Sequence, residues 1–221
     1  MTMTTSEQSQ ARRGALLLTR LERLSDVVYG IIIWQLFMLI PTPDSAGKDW
    51  ASLGAYLDDA GITILVVLIG IGWTIVYWRQ SGRHLAALEI TDGWHSALTI
   101  LQLFFFFVFL YSMKLGVDIG GMAGTWALES CSATAIGLCS LLAFQHAIRK
   151  RRLLHPDVTD EEARQIAVRA RAEPLSTGIT IPFAFVTGPL FFGFNLTWEF
   201  SFFIYAIVVA VMHRFAKHKQ K

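Results

Sequence analysis

The chain reads as an all-α integral membrane bundle of six transmembrane helices, with its N-terminus and C-terminus both cytoplasmic. Three observations carry this. Of 221 residues, 53% are hydrophobic and only 16% are charged, against about 25% charged in ordinary soluble domains. The apolar residues come in long uncharged runs rather than periodic stripes. Lysine and arginine are also distributed very unevenly between alternate loops.

Arg12, Arg13, Arg20 and Arg23 precede the first span, with too short an apolar stretch for a signal peptide. The expected spans are Leu24 to Ile40, ended by Pro41-Thr42-Pro43; Gly61 to Trp78; Trp94 to Met113; Trp126 to Ala147; Leu175 to Phe194; and Trp198 to Phe215. Each approaches the length needed to cross a hydrocarbon core of about 30 Å. In domain terms, 1–20 is a cytoplasmic tail and 21–147 holds the first four spans. Residues 148–174 form a cytoplasmic linker, 175–215 the last two spans, and 216–221 a basic tail. Seventeen of the 19 Lys and Arg residues fall on the side of the termini and the 148–174 linker; only Lys48 and Lys114 fall opposite. The positive-inside rule makes the first side cytoplasmic.

Within the linker, Thr159 followed by Glu162 has the spacing of a capping box, predicting a helix from Asp160 to Ala172. Its acidic start and later arginines suit the helix dipole. The fifth span contains Gly178, Pro182, Gly188, Pro189 and Gly193, which predicts a kink or a broken helix. Asp26 lies three residues after Arg23, within reach of a salt bridge. Asp26 and Gln35, nine residues apart, fall on opposite faces of the first span, whereas Ile31, Gln35 and Met38 share one. Gln35 and Gln102 each either bond a neighbouring helix or face a watery path. Glu129 and Glu199 are expected at the outer interface, and Cys131 and Cys139 as small packing residues.

No spacing suits a metal centre, and phosphate-loop, dinucleotide, zincin and nucleophile-elbow motifs are absent. No catalytic arrangement, cofactor or metal is expected, and a net charge of +2 gives no sign of nucleic-acid binding.

Arg20-Leu21-Glu22-Arg23-Leu24-Ser25-Asp26 resembles the RxxxFSD motif that opens the first span of the transmembrane protein 175 family. Tyr77-Trp78 closes the second span as that family's YW does. Asp92 precedes a span carrying Gln102-Leu103-Phe104, similar to its D…NLLF pattern. Arg151 to Asp157 with Asp160-Glu161-Glu162 resembles its cytoplasmic linker. The similarity runs over most of the chain.

The resemblance implies a potassium-permeable channel without a TVGYG filter, six helices per subunit and, as in prokaryotic members, a homotetramer. It implies that the first span of each subunit lines the pore, with Ile31 at the constriction and Gln35 and Met38 one and two turns outward. Arg20, Leu24, Ser25 and Asp26 then form a network behind the pore wall. The partners implied are transient potassium ions, the lipid bilayer and further copies of the chain, in a multi-pass arrangement in a bacterial cytoplasmic membrane. Several positions depart from the pattern: Leu24 stands for the motif's Phe and Val27 for the usual small residue after Asp, Ser81 stands where the family often has His, and Trp34 and Gln35 stand where it has smaller or aliphatic residues. A non-conducting membrane scaffold, favoured by Trp34, and a small-molecule transporter, favoured by Pro182 and Pro189, are the alternatives.

Overall fold

The computed structural model describes residues 5–43, 49–119, 122–186 and 201–218. The described residues are helical apart from short turns and one isolated β-bridge. The helices are α1 (Thr5–Phe37), α2 (Leu53–Ala86), α3 (Gly93–Asp118), α4 (Ala123–Arg149), α5 (Asp160–Gly178), the single turn α6 (Phe183–Val186) and α7 (Ser201–His218); a 3-10 turn, Arg151–Leu153, joins α4 to α5. Three of them, α2, α3 and α4, are long and apolar enough to cross a bilayer.

The sequence sets where these helices begin. Ser52 caps α2, its Oγ accepting from the Ala55 amide at 3.2 Å. Asp92 caps α3, accepting from the His95 amide at 3.0 Å. The capping box of α5 is fully formed. The Glu162 amide donates to Thr159 Oγ1 at 3.2 Å, and the Thr159 amide donates to Glu162 Oε2 at 3.0 Å. The Thr159 amide and the Thr159 hydroxyl, which donates to the same Oε2 at 3.1 Å, together hold the Glu162 carboxyl below its ordinary range.

Several elements differ from the sequence expectation. The first helix does not begin at Leu24 but runs unbroken from Thr5, since residues 5–23 contain no proline and a single glycine. That glycine, Gly14, sits against the loop before α3: a Cβ there would lie 3.0 Å from Ile90 Cβ and from Thr91 O. The linker helix does not stop at Ala172 but continues through Pro174 to Gly178. The Ser176 and Thr177 hydroxyls bond back to the Glu173 carbonyl at 2.9 and 3.0 Å. Glu129 is buried rather than interfacial. Its carboxylate lies over Gly116 of α3, whose missing side chain leaves the room for it. Cys139 is buried as expected, but Cys131 is exposed. Gly188, Pro189, Gly193, Trp198 and Glu199 lie outside the described residues.

Two clusters hold the bundle. One is built from α1, α2, α3 and α4 around Tyr29, Trp73, Tyr77, Phe106 and Ile136. The Phe106 ring meets Tyr29 and Tyr77 edge-on, at centroid separations of 5.1 and 5.2 Å. In lipid such contacts act through packing rather than through release of water. The second cluster lies at the opposite end, where Leu18 and Leu21 of α1 meet Leu85, Phe144 and Leu153. There the loops after α2 and α4 pair: the Glu89 amide donates to the Leu153 carbonyl and the His155 amide to the Ala87 carbonyl, each at 2.9 Å. This collar ties the linker to the base of the bundle. The phenylalanine run of α3 is divided, with Phe106 and Phe109 buried and Phe104 and Phe107 exposed.

Candidate functional site

α1 packs mainly against α2 and α3, so only one stripe of it is covered. The covered residues are Leu18, Leu21, Ser25, Tyr29, Ile32 and Leu36, at spacings of three and four. Ile31, Gln35 and Met38 lie outside that stripe and face away from the subunit. Ile31 is 44% exposed and Met38 59%. Leu24, Val27, Ile31, Trp34 and Met38 are all exposed and alternate at three and four residues, the spacing of a seam that meets another helix.

The structure divides the motif residues. Ser25 is buried against the bundle, while Arg20, Leu24 and Asp26 are exposed. Asp26 does not take Arg23 as its partner. Trp78 Nε1, from the end of α2, donates to Asp26 Oδ1 at 2.8 Å. The tryptophan of the Tyr77-Trp78 pair therefore fastens α1 to α2 beside the motif. Asp26 and Gln35 were placed on opposite faces, yet both are exposed. A single packed stripe leaves both flanks of a helix open.

Behind α1 lies a buried polar network. The Tyr29 hydroxyl pairs with Ser81 Oγ at 2.9 Å, and Gln102 Nε2 donates to both, at 3.3 and 3.2 Å. Gln102 thus bonds neighbouring helices and also borders a small polar cavity. Tyr29, Ser81 and Gln102 come from α1, α2 and α3, so one network locks three helices together. Ser81, one of the positions at which the sequence departs from the family it resembles, is buried within this network. A second polar group lies beside it. Ser140 Oγ of α4 meets His84 Nδ1 at 3.2 Å, and the His84 ring stacks on Phe144 at 4.9 Å. His95 Nδ1 meets Thr91 Oγ1 at 2.9 Å. This grouping is not legible in the sequence, because its members are spread over more than fifty residues of chain; their shared signal is polarity within apolar runs.

At the mouth of α3, Asp92 meets His146 Nε2 at 3.0 Å and Lys150 Nζ at 3.1 Å. Partial burial works against ionisation of Asp92. The His95 amide and the His146 and Lys150 side chains outweigh it and hold the carboxyl well below the usual carboxylate range. Among the described residues no group of three His, Cys, Asp or Glu side chains has the arrangement to hold a metal.

No family model matches the sequence, and no curated protein matches it. Among solved structures, the fold is similar to that of a variant of the potassium channel MtTMEM175, crystallised in complex with a nanobody–MBP fusion protein. The TM-score is 0.58 at 20% identity, and the match covers 91% of this chain and 93% of that one. At that identity the likeness establishes the fold, and it supports the family resemblance read from the sequence at the level of fold. Among the described residues the fold is helical and similar to that of a channel, with three helices long and apolar enough to cross a membrane.

Proposed function

We propose that the protein is a cation channel, potassium-permeable, whose pore runs between subunits of a homotetramer and is lined by α1 of each. The observation that carries this reading is the uncovered seam Leu24, Val27, Ile31, Trp34 and Met38. A seam spaced at threes and fours is suited to face other copies of the same helix. The interior of the subunit supports the same reading. Two buried cavities between its helices hold about 10 Å³ each, about the space of one water, and neither is wide enough to pass an ion. Potassium as the ion is carried over as part of this proposal from the potassium channel to whose fold this chain is similar.

In this reading α1, α2, α3 and α4 and two further helices in the 175–215 segment cross the membrane. The excess of Lys and Arg puts both termini and the α4–α5 linker in the cytoplasm, and the membrane is the bacterial cytoplasmic one. Ile31 is the constriction: a ring of apolar side chains there limits conduction by excluding water. Gln35 and Met38 lie outward of it along the same helix. Arg20, Leu24 and Asp26, left uncovered by their own subunit, are available to a neighbouring one. Potassium flux into liposomes under a potassium gradient tests this, with Ile31→Asn alongside. Flux that rises in the variant is expected. No flux from either protein, with tetramers confirmed, contradicts it.

Trp34 favours a second reading. Its ring is 60% exposed on the same seam, and four such rings around an axis would close a narrow path. A non-conducting scaffold with the channel fold is then the result. Trp34→Ala separates the two, since it opens flux only if a pore exists beneath the ring.

A further inference from the structure

Glu173, near the end of α5, has no role in the proposed pore. Its side chain is fully buried, and neither carboxylate oxygen has a hydrogen-bond partner among the described residues. It sits where α5 crosses α4 at very close range: a Cβ on Gly137 of α4 would lie 2.8 Å from the Pro174 nitrogen and 3.1 Å from Glu173 Cβ. The polar and titratable groups around it come from every neighbouring helix. Ser140 of α4 lies beside the carboxylate. The hydroxyls of Tyr29 on α1, Tyr77 on α2 and Tyr205 on α7 feel its field. His84 of α2 reaches it through Ser140. Arg83 and Arg169 act on Tyr205, but neither forms an ion pair with Glu173 among the described residues.

An ionised carboxylate without a donor or a counter-charge is not carried in such surroundings. A metal ion or a water needs space beside the oxygens. Of the two described cavities near the site, one is lined by Ser81, His84, His95, Gln102 and Ser140 and the other by Trp73, Tyr77, Phe106 and Thr177, and Glu173 is not among the lining residues of either. The cation that requires no room is a proton.

We propose that Glu173 is a proton-binding site, protonated at neutral pH and loaded from the cytoplasmic side through Ser140, His84 and the polar cavity that His84 shares with His95. The route continues outward. His95 bonds Thr91, and its amide donates to Asp92, which meets His146 and Lys150 at the surface. Loading takes one proton from cytoplasmic water, forms one O–H bond on the carboxyl group and changes no other bond. The bound proton keeps the α4–α5 crossing neutral, so it fastens the linker helix to the bundle. This inference does not depend on whether the pore conducts.

Infrared spectroscopy of the full-length protein in lipid, with and without 13C-labelled glutamate, tests it. At neutral pH the wild type should show a carbonyl band of a protonated carboxylic acid that shifts with the label and is lost in Glu173→Gln. A spectrum without that band, or a band that survives in Glu173→Gln, overturns the proposal. If Glu173→Gln does not assemble, Glu129→Gln makes the assignment. A band retained there belongs to Glu173, and a band lost there belongs to Glu129 and overturns the proposal. Unfolding against pH gives an independent reading. A carboxyl protonated when folded contributes stability that is complete in acid and is lost as pH rises. The wild-type folding equilibrium should therefore weaken by up to about tenfold per pH unit relative to Glu173→Gln, and parallel profiles contradict this. Exchange of the bound proton for deuterium should slow at least about tenfold in His84→Phe. An unchanged rate overturns the route.

Discussion

The two faces of α1 repeat residues at the same three-and-four spacing but meet opposite fates. The inward face, Ser25, Tyr29, Ile32 and Leu36, is fully covered, and the Tyr29 hydroxyl shares hydrogen bonds with Ser81 and Gln102. The outward face, Leu24, Val27, Ile31, Trp34 and Met38, is left open by its own subunit. Both faces are largely apolar, so hydrophobicity alone does not distinguish them. What does is polar anchoring: in lipid, a hydrogen-bonded group fixes which side of a helix turns inward, while an apolar side is at home against protein or lipid alike. The outward face is therefore free to be used between subunits.

The comparison breaks most sharply at Tyr29. Tyr29→Ala removes the ring set against Phe106 together with the hydroxyl used by Ser81 and Gln102, and should destabilise the subunit by about 3–5 kcal/mol. Thermal unfolding in detergent measures it, and a change as small as that of an outward substitution would remove the distinction between the faces. Gln102→Leu leaves the Tyr29 and Ser81 hydroxyls to each other alone, and should cost about 1–2 kcal/mol in the same assay.

The base of the bundle gives a smaller effect with a definite sign. Asp92 is held below its ordinary value, so its contribution is complete above about pH 4 and is lost as pH falls through the depressed value. Asp92→Asn should flatten the acid limb of an unfolding profile and cost about 0.5–1 kcal/mol at neutral pH. An unchanged acid limb would show that the His146 and Lys150 contacts do not hold the carboxylate. Smallest is the outward face itself. Met38→Ala on the separated monomer should stay within about 0.5 kcal/mol of wild type.

The sequence exposes what depends on local pattern. Uncharged runs mark α2, α3 and α4, and Thr159 with Glu162 marks the start of α5, because runs and caps are local physics. The Arg20–Asp26 segment pointed to the fold that the structural comparison supports. Polar partnerships were hidden. Asp26 has Arg23 within one turn, yet bonds Trp78, fifty-two residues away. Glu129 looked interfacial because its burial depends on a glycine of another helix, Gly116. The sequence predicts an end to the linker helix at Ala172, but it runs on through Pro174, against which Gly137 of α4 packs closely, with the Ser176 and Thr177 hydroxyls bonded back to the Glu173 carbonyl. In each case the deciding partner lies on another helix or one turn further on, where no periodicity reports it.

Cysteine accessibility along α1 tests the central claim most directly. With Cys131 and Cys139 replaced by Ser, single cysteines at Ile31, Met38, Ile32 and Leu36 are treated with a charged thiol reagent during potassium flux. Block at Ile31→Cys and Met38→Cys, with Ile32→Cys and Leu36→Cys unaffected, is the predicted result. Block confined to the inward pair, or flux indifferent to modification at Ile31 and Met38, contradicts the pore assignment.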